Sequence, residues 1–384
     1  MKDQNQDNKL PLREFIDGSE AIARAAVDSG CNFFSGYPIT PATHILLHMT
    51  TELPKVGGIA IQAEDEISAI GYCIGAAMAG ARVMTATIGP GISLYSENIG
   101  LANMGEVPLV IIDCQRMGPA TGGATTVAQG DIQFIRWGTS GGYPIIALSP
   151  TSVPDSYSFT CRAFDLAERF RVPVFIVTDK ETVTTKVTVN RELISGYVAT
   201  PKRKIPEVEG FIPYHFDNLA DIPQMSPMGG SHIVRFTTSS HDERGYLSKD
   251  PSIVGRMNQH LSEKIVENIE QISLVDEDLE AGADTLFISY GITSRSVKEA
   301  VREARDDGYK VSALTIYSLW PVPEQKILNA LEGIKRVVVA ELNLGQYCLE
   351  IERLARGEVE VVGVHRVDGE LITPKDILQC GFIR

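Results

Sequence analysis

Glu66 stands at the head of the stretch "EISAIGYCIGAAMAG", and no further charged side chain occurs before Arg82. A carboxylate at the mouth of an apolar helix needs a specific donor or a shifted titration. Proton transfer, or a hydrogen bond to a cofactor ring, is the chemistry such a group performs. Glu64 and Asp65 precede it, and the positive end of a helix dipole accounts for both without further purpose. Arg116, in "IIDCQRMGPATGG", follows a strongly apolar strand, where a guanidinium fork matches a substrate carboxylate. A salt bridge to Asp113 or another nearby acid is the alternative. Thr40 lies between Pro38 and Pro41 in "SGYPITPATHI". Proline fixes its own φ and drives the residue before it toward extended backbone. Tyr37 and Thr40 are therefore expected to be extended, in a stiff loop that holds the Thr40 hydroxyl still. Thr87, Gly89 and Gly91 belong to "TIGPG", which ends a strand and opens a helix. Its glycines permit close backbone approach, and a helix start favours an anion. An ordinary tight turn explains it equally, since neither GxGxxG nor GxxxxGK is present. His241, in "SSHDERG", reads as a surface histidine of a loop.

The elements around these residues alternate. Helix "GSEAIARAAVDSG", strand "CNFFSGYP", helix "DEISAIGYCIGAAMAG", strand "RVMTATI", helix "SLYSENIGLANMG" and strand "VPLVIIDC" come first. After a threonine- and glycine-rich loop follow strand "YPIIALSP", helix "VPDSYSFTCRAFDLAERF" and strand "VPVFIVTD". Apolar strands without alternation predict a sheet covered on both faces, the doubly wound parallel α/β arrangement. Ligands of such sheets collect beyond the carboxyl ends of the strands, where "GYPITPAT", "QAEDE", "TIGPG" and "CQRMGPATGGATTVAQGD" all fall. The rhythm fails between about residues 185 and 270, where "SPMGGSH" and "SSHDERGYLSKDP" predict loop-rich crossing structure, and resumes from "DTLFISYG" to "VEVVGVHRV". The expected division is a first domain at 12–190, a connecting segment at 191–270 and a smaller second α/β domain at 271–384.

A chain of 384 residues fits two domains better than one. Its formal net charge of −14 disfavours nucleic acid or an anionic membrane as partner. The polar start "MKDQNQDNKLPLREF" is unlike a signal peptide, and no apolar run reaches the length of a membrane span, so the expected location is the cytoplasm. Six cysteines are scattered without a CxxC pair, which excludes a self-contained zinc ribbon or ferredoxin-type cluster. Cys31, Cys73 and Cys114 read as reduced core thiols.

Together, "GYPITPAT", the run from "AEDEISAIGYC" to "TIGPGISLYSENIG", "CQRMGPATGGATTVAQGDIQF" and "SHDERGY" resemble the α subunit of 2-oxoacid:ferredoxin oxidoreductases, closest to the 2-oxoglutarate type. The resemblance runs from about residue 12 to the end. It implies a thiamine-diphosphate-binding domain of the pyrimidine type followed by a transketolase C-terminal-like domain. It implies coenzyme A-acylating oxidative decarboxylation of a 2-oxoacid, with electrons passed through iron–sulfur clusters to ferredoxin. It assigns Mg2+, the cofactor's diphosphate and a [4Fe-4S] cluster to partner chains: a β subunit, a separate γ chain that takes the place of a domain fused ahead in larger relatives, and a ferredoxin-like δ subunit. Residue by residue, Glu66 matches the glutamate that hydrogen-bonds the pyrimidine ring, favouring the tautomer that takes the thiazolium proton. Thr40 matches the threonine of YPITP, and Arg116 the arginine that contacts the substrate carboxylate; Thr87, Gly89 and Gly91 are expected beside the cofactor. No partner for the distal carboxylate of 2-oxoglutarate can be named. Branched-chain or aryl 2-oxoacids, a non-redox thiamine lyase or transketolase-like half, and a scaffold subunit with a decayed site remain as alternatives.

Overall fold

The computed structural model describes residues 12–201 and 210–382; the parts of the connecting segment at 202–209 and of the second domain at 383–384 lie outside the described residues. Strands β1 (Arg13–Ile16), β2 (Phe33–Gly36), β3 (Ile59–Gln62), β4 (Val83–Thr87), β5 (Leu109–Gln115), β6 (Ile146–Leu148), β7 (Pro173–Asp179) and β8 (Val187–Asn190) occupy the first half. The second half carries β9 (Val275–Asp278), β10 (Thr285–Ser289), β11 (Val311–Ile316), β12 (Ser318–Trp320), β13 (Arg336–Glu341) and β14 (Glu360–His365). The larger sheet has the order β12-β6-β7-β5-β4-β2-β3 and is parallel except at β12. Strands β4, β5 and β7 are buried from end to end. A strand covered on both faces has no polar side to show, hence the unbroken apolar runs. The smaller sheet runs β14-β13-β10-β11-β9, with only β9 antiparallel. Among the described residues no helix is long and apolar enough to cross a membrane.

Helices Gly18–Asp28, Thr43–Glu52 and Val153–Phe170 contribute to the core on one face of the large sheet. On the other face, helices Glu66–Met78 and Gly89–Met104 share a core with the smaller sheet. Ile70, Tyr95, Ile111 and Phe175 belong to the same apolar cluster as Leu286, Ile316, Trp320 and Tyr347. Each such side chain contributes about 1.5–3 kcal/mol when fully buried, so the two α/β units are packed as one body. Strand β12 extends this union: it leaves the second unit and pairs antiparallel with β6 of the first. The Trp320 indole N–H donates to the Ile132 carbonyl at 3.1 Å.

Three features depart from expectation. Strands β1 and β8 form a separate antiparallel ribbon, and β12 crosses between the units. The connecting segment also contains a helix, Pro251–Val266, capped by Asp250, which accepts from the Ser252 and Ile253 N–H groups. That segment is pinned by a buried cluster. Glu106 accepts from Lys264 Nζ at 2.8 Å and lies 3.2 Å from His260 Nε2, and all three are essentially unexposed. Burial pushes the Glu106 carboxyl up, but Lys264 first, then His260 and Arg171, more than offset it and hold it below the usual range. Burial also pushes the Lys264 ammonium down, against the pull of Glu106. The carboxylate's contribution to stability is present above the ordinary carboxyl range and is lost as pH falls through the depressed folded value. Lys264→Met strands a buried carboxylate and is expected to lower unfolding free energy by about 3–5 kcal/mol, read as a fall in the denaturation midpoint. Adding Glu106→Gln should recover part of it.

Candidate active site

The connections of the large sheet reverse direction between β2 and β4. A crevice opens beyond the strand ends at such a switch point. The loop after β2 brings Thr40, the turn after β4 brings Thr87, Gly89 and Gly91, and β5 delivers Arg116 one residue past its end. Register places Thr87 beside Asp113. Glu66 arrives from the turn after β3 as the first residue of its helix.

Asp65 caps that helix by accepting from the Ser68 N–H while Ser68 Oγ accepts from the Asp65 N–H. Donation to the exposed Asp65 carboxylate by the Ser68 N–H, and then by the Ser68 hydroxyl, lowers its pKa. Asp65 satisfies the helix start, and Glu64 is exposed. Glu66 is free for other use: it is 6% exposed, and its carboxylate has no hydrogen bond or ion pair among the described residues. Thr87 Oγ1 is likewise buried without a hydrogen-bond partner. The neighbouring Tyr95 hydroxyl is engaged with Thr85 Oγ1 at 2.7 Å, and its approach to Thr87 falls outside hydrogen-bond geometry. Burial pushes the Tyr95 phenol well up, and Glu66 adds to that. Gly91 locks the three elements together: a Cβ there would overlap Thr87 Oγ1 and stand 2.8 Å from Glu66 Cγ. Gly91→Ala is therefore expected to displace both side chains, cutting activity at least tenfold and lowering the melting temperature by several degrees. Unchanged activity would show that the contact does not shape the site. The helix Gly89–Met104 has no side-chain cap at Ile88, so its first backbone N–H groups are available to an acceptor.

Arg116 is 7% exposed. Its Nη1 donates to the Thr40 carbonyl at 2.6 Å and its Nη2 to the Thr121 carbonyl at 3.0 Å. Burial lowers its pKa. Neither the salt bridge to Asp113 nor one to another acid forms among the described residues, and Nε is buried without a partner. The guanidinium thus ties the YPITP loop to the loop after β5 and keeps an uncompensated positive charge. Thr40 itself is exposed, and the Thr40–Pro41 peptide is cis. Arg116 and Gly89 line a cavity of about 660 Å³ closed by Asn343, Leu344 and Gln346 of the second unit.

The cavity wall also holds Asp131, which sequence reasoning missed. Asp131 lies against the start of the helix Gly89–Met104, where a Cβ on Gly89 would meet its Oδ1 at 2.7 Å. Its N–H donates to Gln115 Oε1 at 3.1 Å. Among the described residues, Asp131 Oδ2 and both carboxyl oxygens of Asp113 are buried without hydrogen-bond partners. Burial first, then Asp131, pushes the Asp113 carboxyl well up; burial raises that of Asp131 to about 7. Gln129 fastens this loop to the second unit: its Nε2 donates to the Tyr290 carbonyl at 3.1 Å, and its Oε1 accepts from Thr293 Oγ1 and the Leu342 N–H. An aspartate inside the otherwise apolar "LVIIDC" was the one available signal. His241 is corrected: it is 2% exposed rather than on the surface, with Nδ1 2.7 Å from the Asp242 carbonyl and its ring packed on Tyr214. Cys31, Cys73 and Cys114 are buried free thiols, and burial raises Cys31 to about 12.

The doubly wound sheet, with a buried carboxylate at its switch point that is unpaired among the described residues, belongs to an α/β chain whose first domain matches a thiamine-diphosphate-binding class. The family model described as pyruvate flavodoxin/ferredoxin oxidoreductase, thiamine diphosphate-binding, matches residues 24–254. The core domain II model of pyruvate:ferredoxin oxidoreductase matches residues 283–377. The chain is 43% identical over 369 residues to the 2-oxoglutarate synthase subunit KorA of Methanothermobacter thermautotrophicus, covering 95% of this chain and 96% of that protein. It is 42% identical over 365 residues to the KorA subunit of Methanocaldococcus jannaschii, covering 95% and 98%. A solved 2-oxoglutarate:ferredoxin oxidoreductase from Magnetococcus marinus, with 2-oxoglutarate, coenzyme A and succinyl-CoA bound, superposes with a TM-score of 0.86 at 31% identity. The match covers 96% of this chain and 64% of that one. The chain belongs to the 2-oxoacid:ferredoxin oxidoreductase family.

Proposed function

We propose that this chain is the α subunit of a thiamine-diphosphate-dependent 2-oxoglutarate:ferredoxin oxidoreductase of the cytoplasm. The reaction converts 2-oxoglutarate and coenzyme A to succinyl-CoA and CO2, and passes two electrons to ferredoxin. The substrate assignment rests on the likeness to 2-oxoglutarate synthase subunits over almost the whole chain.

The carrying observation is Glu66. It is buried and, among the described residues, without a donor, beside the orphaned Thr87 Oγ1 and a glycine that leaves no room for a side chain. These groups fit an aminopyrimidine, whose imino tautomer brings the ring N–H that a buried carboxylate needs, and whose polar edges suit an orphaned hydroxyl. Thiamine diphosphate, when bound, supplies a nucleophilic carbon and an electron sink for decarboxylation. Glu66 holds a proton between its own oxygen and a ring nitrogen, which sets the basicity of that ring. Gly91 excludes bulk there. Arg116 attracts the substrate's carboxylate, and with it keeps the Thr40 loop in place.

The other half of the site is assigned to a β subunit that carries Mg2+, the diphosphate and a [4Fe-4S] cluster, with γ and ferredoxin-like δ chains completing the complex. Support comes from the helices bearing Glu66 and Gly91, which turn Ile67, Tyr72 and Leu94 outward, each about half exposed. Apolar groups clustered at an incomplete polar site fit a subunit interface. The test is reconstitution with the partner chains followed by viologen reduction with 2-oxoglutarate and coenzyme A. Consumption of 2-oxoacid with no reduced dye would replace the oxidoreductase with a lyase.

A further inference from the structure

Arg116 shares its cavity with Asp131, whose carboxyl neighbours that of Asp113, buried on β5, and nothing in the proposed function uses either. Two neighbouring buried carboxyls without a cation or an N–H donor cannot both ionise, so the pair keeps a proton. Among the described residues no charged group pairs with it, the unpartnered Glu66 against Gly91 included. Arg116 is turned to the Thr40 and Thr121 carbonyls. From β7, Asp179 accepts from the Thr182 and Ile292 N–H groups. The helix Ile132–Trp137 presents Arg136, which donates to the Gly142 and Tyr143 carbonyls. The first turn of the helix Gly89–Met104 has no charged side chain. The second unit faces the cavity with the amides Asn343 and Gln346, and behind them His365 and Glu341 lie 3.8 Å from one another. Of the described cavity-lining residues, Asp131 is the carboxyl that burial raises to about 7.

We propose that Asp131, backed by Asp113, gates anion binding at Arg116: its carboxyl admits a substrate carboxylate while it carries a proton and turns it away once ionised. The gate rests on the assignment of this cavity to the 2-oxoacid. Asp113 stays protonated deep in the sheet, which leaves Asp131, half-buried at the wall, to exchange its proton with solvent. Binding of a carboxylate anion above neutral pH then draws one proton from solvent onto Asp131, and release returns it. With Asp131 titrating at about 7, the apparent affinity for an excluded anion falls as 1 + 10^(pH − pKa), about 25-fold between pH 6.5 and 8.5.

The experiment uses the assembled complex. Steady-state KM for 2-oxoglutarate is measured from pH 6.5 to 8.5. Calorimetry with glutarate, a dicarboxylate that cannot react, is run at pH 8 in buffers of different ionisation enthalpy. The expected results are a KM that rises about 25-fold and an uptake close to one proton per glutarate. Asp131→Asn should flatten the KM profile and abolish the uptake, whereas Asp113→Asn should retain both. Turnover with a KM that changes less than twofold, or glutarate binding without proton uptake, overturns the gate and leaves the proposed function standing. Uptake that persists in Asp131→Asn also overturns it. Should a variant fail to assemble, the wild-type proton count and KM profile decide. A complex that neither turns over 2-oxoglutarate nor binds glutarate overturns the cavity assignment, and the gate with it.

Discussion

Glu66→Gln in the assembled complex is expected to lower turnover at least 100-fold while leaving assembly and melting temperature almost unchanged. The size follows from the role: a positioned proton-transfer group contributes about 10²–10⁴ in rate. The near-constant stability follows from the structure, because the Glu66 carboxylate makes no hydrogen bond or ion pair among the described residues, so the amide breaks nothing. Glutamine has the same shape and still presents an oxygen, but it is neutral and cannot favour one tautomer of a ring by charge. A residue merely capping its helix would behave differently. That task belongs to Asp65, whose oxygen accepts from the Ser68 N–H at 2.7 Å, and Asp65→Ala should cost about 1 kcal/mol of stability and little turnover. Turnover in Glu66→Gln within threefold of wild type would remove Glu66 from the mechanism.

Arg116→Met is expected to lower kcat/KM for the 2-oxoacid about 100-fold, equivalent to about 2.7 kcal/mol. Two losses combine. The cavity loses its uncompensated positive charge, which acts mainly on KM. The Thr40 and Thr121 carbonyls lose donors at 2.6 and 3.0 Å, and hydrogen bonds from charged donors contribute about 1.5–3 kcal/mol each. Arg116→Lys separates the two, because an ammonium keeps the charge but cannot span both carbonyls with a planar fork. It should recover KM better than kcat. Thr40→Ala is expected to raise the KM for 2-oxoacid more than that for coenzyme A, by less than Arg116→Met, since its carbonyl and the clasp survive. A kcat/KM unchanged in Arg116→Met would mean that the arginine only braces the loop for some other purpose.

The doubly wound sheet was legible because its strands are buried on both faces and so carry no polar alternation; "VPLVIIDC" and "VPVFIVTD" read directly as β5 and β7. The site was legible in part for the same reason. Strand ends in such a sheet converge by topology, so Thr40, Glu66, Thr87 and Arg116 could be grouped without a contact being known. The misses have physical causes. Strand β12 is three residues long, too short for a period, and its partner β6 belongs to the other unit. The helix Pro251–Val266 follows a proline- and glycine-rich stretch that resembles more loop, and its buried Lys264 and His260 read as polar surface without knowledge of Glu106. His241 is buried for the same non-local reason, under Tyr214. For Arg116, sequence proximity suggested Asp113 as partner, but the strand places the two side chains apart, and the fork closes on main-chain carbonyls instead. Asp131 becomes visible only once the fold sets it beside Asp113 and Gly89.

We propose that this chain completes a thiamine-diphosphate site for the oxidation of 2-oxoglutarate. It is tested most directly by purifying the complex through this chain and measuring coenzyme A-dependent viologen reduction across a panel of 2-oxoacids, with and without added thiamine diphosphate. The expected result is the highest kcat/KM with 2-oxoglutarate, a strict requirement for the cofactor, and loss of that activity in Glu66→Gln. Dye reduction that prefers a branched-chain or aryl 2-oxoacid, or that survives Glu66→Gln, would contradict it.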